Sequence, residues 1–327
     1  MNRFRILLKV LAVTLALAAP LYAYVTSKGL SSTNSIVQIK WANGAFPIRW
    51  QMNPAAGSNI TGSRQQSDVV RESFQAWSAI PTATITFAEG PATAASVKPA
   101  YDGMNVITTN LTSSDWSALG VGSGVLAFTI FSWADRGGPG VVDSLGRAVS
   151  FAGQMTEADI AFNPAYEFST EATVPSDKVD FQSVVTHEIG HFLGLDHSPI
   201  VASTMYWILD EGLSTPRTLW TDDIAGVSSI YPSASFSLKA TLSGTVRTTA
   251  NVAVYGAVVV AVNSTGQPVA SAVTDPSGRY SISGLESGTY TVYAEPLDGP
   301  TGSANVSTLS EIFAGQTVNT NFTTRFR

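Results

Sequence analysis

The sequence predicts an α/β (α+β) domain over residues 34–233, followed by an all-β sandwich over 239–327. Three observations carry this. Up to Pro232, short runs rich in β-branched and aromatic residues alternate with segments whose apolar residues recur at helical spacing. All three histidines of the 327-residue chain fall between 187 and 197. After Pro232 the helical pattern stops, and β-rich runs separated by turn signals take over.

The N-terminus reads as an export signal. Arg3, Arg5 and Lys9 form a basic start, 10–19 is apolar, and Leu21-Tyr22-Ala23 is a small-residue cleavage site. The apolar run falls short of the roughly 20 residues a spanning helix needs, so cleavage after Ala23 is expected, with no stable membrane insertion. A short segment, 24–33, precedes the first domain. Residues 36–41 and 48–50 read as early strands, and 84–87 as the next. Val70, Phe74 and Trp77 recur at helical spacing and predict a long helix over 63–80.

The second long helix spans 181–193, with Phe181, Val185, Ile189 and Phe192 as its buried stripe. Asp180 is its expected N-cap and Gly194 its stop. Within it, His187-Glu188-Ile189-Gly190-His191 opens an HExxHxxGxxH pattern that ends at His197. His187 and His191 lie four residues apart, so they project from one face and share a Zn²⁺. Gly194 accepts a left-handed backbone, which swings His197 back as third ligand. Three protein ligands leave a fourth position open, as in catalytic rather than structural zinc sites. Glu188 is the expected catalytic residue, the general base toward a zinc-bound water. A structural metal site is the competing reading of the histidines.

With Ser203-Thr204-Met205-Tyr206 shortly after His197, the pattern resembles the metzincin zinc peptidases, and the short spacing resembles their matrixin branch. The resemblance covers about 34–233. It implies a mixed twisted sheet with an active-site helix, Met205 as a floor beneath the zinc, Tyr206 in the turn and pocket wall, and a protein or peptide substrate. It also implies that Glu157–Asn163 is the edge strand to which an extended peptide adds. The stretch 206–219 is the candidate specificity region. Thr221-Asp222-Asp223-Ile224 caps a last helix, with Ile224, Val227, Ile230 and Tyr231 on its inner face. The chain departs from the family in two ways. It has no cysteine to occupy the zinc in a latent form, and no histidine left for a second, structural zinc. The loop 135–143, with Asp135 and Asp143, and nearby Glu157 and Asp159, offers oxygens for a structural Ca²⁺; solvated turn acids are the equal alternative.

Loss of 1–23 removes three of 18 basic residues and none of 24 acids, leaving a net charge of −9. Such a surface has no footprint for nucleic acid. Export without cysteine points to a bacterial secreted or periplasmic protein.

Residues 234–238 read as a linker. Strands are expected at 240–247, 257–263, 269–274, 279–282 and 289–295, with turns at 275–278 and 286–288. The run 273–285 followed by 288–292 resembles the carboxypeptidase-regulatory-like (transthyretin-like) sandwich. Tyr280, Ile282, Leu285, Tyr290 and Val292 are core residues there. No catalytic constellation is present in this half, which spaces, stabilises or contacts a surface or substrate.

The function expected is secreted zinc endopeptidase. The alternative is an extracellular binding or adhesion protein that keeps the first domain as a metal-stabilised scaffold. Retention of Glu188 speaks against that alternative, because a scaffold needs no general base. Hydrolysis of a non-peptide amide is a third reading.

Overall fold

The computed structural model describes residues 25–94, 98–297 and 317–326. The export-signal reading of 1–23 lies outside the described residues. Among those described, no helix is long and apolar enough to cross a membrane.

Two minor strands, β1 (Lys28–Leu30) and β2 (Ile36–Gln38), pair antiparallel at the start of the chain. The main sheet is built from β3 (Ile48–Met52), β5 (Phe87–Glu89), β6 (Val106–Thr108), β7 (Ala127–Trp133) and β8 (Met155–Phe162), in the order β5-β3-β6-β8-β7. Its first four members run parallel, and β7 runs antiparallel to β8. Short strands β4 (Ile60–Thr61), β9 (Phe168–Ser169) and β10 (Val179–Asp180) form a side sheet. Four helices, α1 (Gln66–Ser78), α2 (Ser113–Ala118), α3 (Phe181–Phe192) and α4 (Thr221–Ile230), complete this half.

The two long helices follow the periodicity. Val70, Phe74 and Trp77 of α1 and Phe181, Val185, Ile189 and Phe192 of α3 all lie in one core. Trp77 Nε1–H also donates to Thr186 O of α3 at 2.9 Å. Phe74 stacks on Trp50 of β3 and meets Phe87 and Phe192 edge-on. Helix α3 is therefore clamped between α1 and the sheet. Asp180 caps it as expected, accepting Ser183 N–H at 2.9 Å.

Three expectations need correction. Glu157–Asn163 lies within and just after β8, which is hydrogen-bonded on both sides; the strand at the sheet edge is β7. The side chains of Glu157, Asp159 and Asn163 are all buried. Asp159 accepts Ala100 and Val106 N–H, Glu157 accepts Asp102 and Gly103 N–H, and Asn163 donates to Val125 O. The strand expected at 84–87 begins at Phe87, because Thr84 N–H is taken by Tyr231 O. The N-cap of α4 is Trp220 rather than Thr221, and Asp223 Oδ2 reaches back to accept Trp220 N–H.

The C-terminal half is all-β. Strands β11 (Ala240–Thr245) and β14 (Arg279–Leu285) pair antiparallel, and β13 (Pro268–Val273), β12 (Val258–Val262), β15 (Thr291–Glu295) and β16 (Arg325–Phe326) form a second antiparallel sheet in that order. Ile282 and Leu285 are buried between them, with Tyr280, Tyr290 and Val292 packed around. The turn at 275–278 closes because Asp275 Oδ1 accepts the N–H groups of Ser277 and Arg279 while Gly278 takes φ +75°. Residues Ala234–Leu238 form a 3-10 helix, adjoined by Ser233 and Ser235 hydroxyls on Pro81 O.

Candidate metal centre

Helix α3 projects His187 and His191 from one face, with their Nε2 atoms 3.1 Å apart. The chain leaves the helix through Gly194 at φ +91°. A side chain there would also collide with Ile39 O, so glycine is required twice over. The reversal is fixed by Leu195 N–H on Gly190 O and Asp196 N–H on Val25 O. It returns His197 to the other two, and one nitrogen from each ring falls within 4.8 Å of the others. Among the described residues this is the only group of three or more histidine, aspartate or glutamate side chains that converges closely enough to hold a metal ion.

The donor set fits a cation. His187 Nδ1 lies 2.8 Å from Thr204 O, and His191 Nδ1 lies 2.9 Å from Leu195 O. A carbonyl only accepts, so both Nδ1 atoms carry hydrogen and both Nε2 atoms present lone pairs. Two lone pairs facing each other at 3.1 Å repel unless a positive charge sits between them. Carbonyl partners of this kind orient metal-ligating imidazoles and raise their basicity. Burial pushes the His187 pKa well below its usual value, and the neighbouring His191 and His197 push it further. Burial, then His197, brings His191 down to about 4. Both shifts favour the neutral imidazole at His187 and His191, the form that binds metal.

Beneath the histidines runs the turn Ser203-Thr204-Met205. Met205 is buried, and its Sδ packs on Gly190, where an added Cβ would overlap it. This places the methionine under the helical turn between the two histidines. Asp223 of α4 holds the turn. Its carboxylate accepts Ser203 O–H, Thr204 N–H at 2.8 Å and Met205 N–H at 3.1 Å. The same Thr204 supplies the carbonyl for His187, so Asp223 orients that ring at one remove.

Glu188 directly follows His187 on α3. It is buried, and its Oε2 accepts the hydroxyl of Thr129 at 2.7 Å. Burial raises its pKa to about 7, against the opposing effect of the Thr129 hydrogen bond. Thr129 belongs to β7, the edge strand. Sequence reasoning missed this residue, as it missed β7, since a lone threonine in an apolar run carries no signal of its own.

The histidines and Glu188 line a cavity of about 700 Å³. One wall is the start of β7 and the residues before it, 124–129. The other comes from Tyr206, Trp207, Ile208, Leu209 and Pro216. Of the candidate stretch 206–219, these five residues reach the cavity. Tyr206 both closes the methionine turn, donating N–H to Ser203 O, and lines the wall.

Three of the four acids considered for calcium, Asp143, Glu157 and Asp159, have protein partners. Asp143 accepts Leu145 N–H, Arg147 N–H, Arg147 Nε–H and Tyr101 O–H. Glu157 and Asp159 accept the backbone N–H groups described above.

The site thus combines a sheet with one antiparallel edge strand, a helix bearing two histidines and a glutamate, a third histidine after a glycine turn, and a buried methionine. Comparisons with known proteins give this region a family likeness. Residues 130–232 match the matrixin family model, and residues 241–325 match the carboxypeptidase regulatory-like domain. The chain is similar to matrilysin of Rattus norvegicus, 45% identical over 53 residues, or 16% of this chain and 20% of the relative. It is similar to metalloendoproteinase 4-MMP of Arabidopsis thaliana, 38% identical over 92 residues, 28% of this chain and 26% of the relative. Metalloendoproteinase 1-MMP of the same plant is 49% identical over 57 residues, covering 16% and 14%. The chain thus spans between 14% and 26% of the length of these curated relatives. It carries a matrixin region followed by a carboxypeptidase regulatory-like region.

Proposed function

We propose that the protein is a zinc-dependent endopeptidase, exported from a bacterial cell to the periplasm or the medium. The observation that carries this reading is the convergence of three imidazoles beside a buried glutamate, in a cleft flanked by an open strand edge. His187, His191 and His197 would hold the ion. Zinc in such a site supplies Lewis acidity toward the scissile carbonyl and lowers the pKa of water.

The chain's own residues do the rest. An extended peptide pairs with the free edge of β7, which registers its backbone across the cleft. Glu188, held by Thr129, takes a proton from the attacking water and delivers it to the leaving amine. The apolar wall from Tyr206 to Leu209 accepts a substrate side chain. The export reading rests on the basic and apolar pattern of 1–23. A structural calcium ion is left out of this reading, since Asp143, Glu157 and Asp159 already accept N–H groups, a hydroxyl and a guanidinium.

The test is cleavage of casein by zinc-loaded protein, with Glu188→Ala run beside it. Cleavage abolished by the substitution and by a chelator supports the proposal. If zinc-loaded, folded protein cleaves nothing, the binding-scaffold reading takes its place.

A further inference from the structure

Three consecutive residues at the start of α4 grip the sandwich. Trp220 Nε1–H donates to Pro268 O at 2.9 Å, and Thr221 O–H donates to Val269 O at 2.5 Å. Asp222 Oδ1 accepts Ser271 N–H at 2.7 Å and its hydroxyl at 3.2 Å. All three partners lie on β13. The other carboxylate oxygen of Asp222 turns the opposite way and accepts the hydroxyl of Ser198 at 2.6 Å. Ser198 directly follows His197, and its N–H donates to Met205 O at 2.8 Å. One carboxylate thus joins a strand of the second domain to the loop of the third histidine.

The joint is dry. Asp222, Ser198 and Ser271 are all buried. Val25 and Ile200, which flank the histidine loop, pack in one cluster with Tyr255, Val258, Val260 and Val273 of the sandwich. Ala225 of α4 sits in the sandwich core itself, and Gly284 of β14, at φ +74°, lies so close that an added Cβ would stand 3.0 Å from Ala225. A carboxylate withdrawn from water needs its hydrogen-bond donors. Asp222 has two from the sandwich and one from the histidine loop. Loss of the sandwich contacts leaves it with Ser198 alone, and either the loop moves or water enters.

We propose that the C-terminal sandwich is a positioning element of the metal centre, with β13 holding the His197 loop through Asp222. The inference rests on the reading of the three histidines as a zinc site. Asp222 is then a positioning residue, acting on His197 through Ser198.

The experiment measures zinc affinity of the full chain by competition with a chromophoric chelator, and records the visible spectrum of the cobalt-substituted protein. Wild type is compared with three variants, at a temperature where near-UV circular dichroism shows them folded. Ser198→Ala cuts the loop side, Trp220→Phe with Thr221→Ala loosens the sandwich side, and Asp222→Ala removes the joint. The expected loss of zinc affinity is about tenfold for Asp222→Ala, the low end for groups that orient metal ligands, and about two- to fivefold for the other two. The cobalt spectrum shifts in the same order. A purely structural joint lowers the melting temperature but leaves affinity and spectrum at wild-type values. Unchanged affinity in either the loop-side or the sandwich-side variant overturns the proposal, so it is decided even if Asp222→Ala fails to fold. Failure of wild type to take up zinc is seen before any variant and overturns the zinc reading itself.

Discussion

The two halves of the chain use buried polar groups differently. In the matrixin region, Glu157, Asp159, Asp180, Glu188, Asp196, Asp222 and Asp223 are all buried. Among the described residues of the sandwich the one buried acid is Asp275, which closes its own turn and pairs with Arg279. Charge taken out of water is costly unless it is well partnered. The first half bears that cost at many positions, most of which fix a loop or a helix around the histidines. The sandwich coheres through Val259, Ala261, Ile282 and their neighbours, and its polar reach outward is spent on α4.

The sharpest break of this contrast is at Glu188. Glu188→Ala should lower turnover of a peptide substrate by about 10²–10⁴-fold, the span of general-base catalysis, with little change in zinc content. A loss of less than tenfold would remove Glu188 from the chemistry. Next is Arg217, whose guanidinium pairs with the fully buried Asp180 at 2.5 Å and also donates to Glu171 O. Arg217→Ala leaves that carboxylate buried without its cation and should cost about 3–5 kcal/mol in urea unfolding. An equivalent break in the sandwich, Arg279→Ala, involves a more exposed pair and should cost about 1 kcal/mol or less. Equal losses would erase the contrast.

Gly190→Ala tests the packing under the histidines. The added methyl meets Met205 and Trp77, and should destabilise by about 1–3 kcal/mol. Thr129→Val removes the hydroxyl on Glu188 and should reduce kcat by about tenfold, with KM nearly constant and Thr129→Ser restoring the rate. An unchanged kcat would make Thr129 a packing residue.

The smallest expected effect is a slope. Burial raises the Asp159 pKa to about 7, with Glu157 and Asp102 adding to the rise and the Val106 and Ala100 N–H groups opposing it. The folded pKa lies above the unfolded one, so the contribution of Asp159 to stability is fully present below about pH 4 and lost as pH rises through about 7. In Asp159→Asn, the decline of unfolding free energy between those pH values should flatten. An unaltered slope would assign the decline to other buried acids.

Much of this was legible in the chain because it is local. The four-residue spacing of His187 and His191, the N-cap at Asp180 and the left-handed turn at Gly194 involve contacts within a few residues, and one-dimensional spacing encodes them. The sandwich strands were legible for the same reason, since alternation and Asp-Pro-Ser-Gly turns are local signals. The edge strand was not. Glu157-Ala158-Asp159 alternates polar and apolar residues like a strand with one wet face, yet its acids are buried against the 100–106 segment. Sheet order is set by pairing between distant segments, and no short window records it. Thr129 on Glu188, Thr204 O on His187 and Asp222 between Ser198 and Ser271 bridge residues 59, 17, 24 and 49 positions apart. The sequence by itself determined the ligand types and their local geometry. Which groups orient them was decided only when the tertiary structure brought remote donors and acceptors together in buried positions, where each had to find a partner.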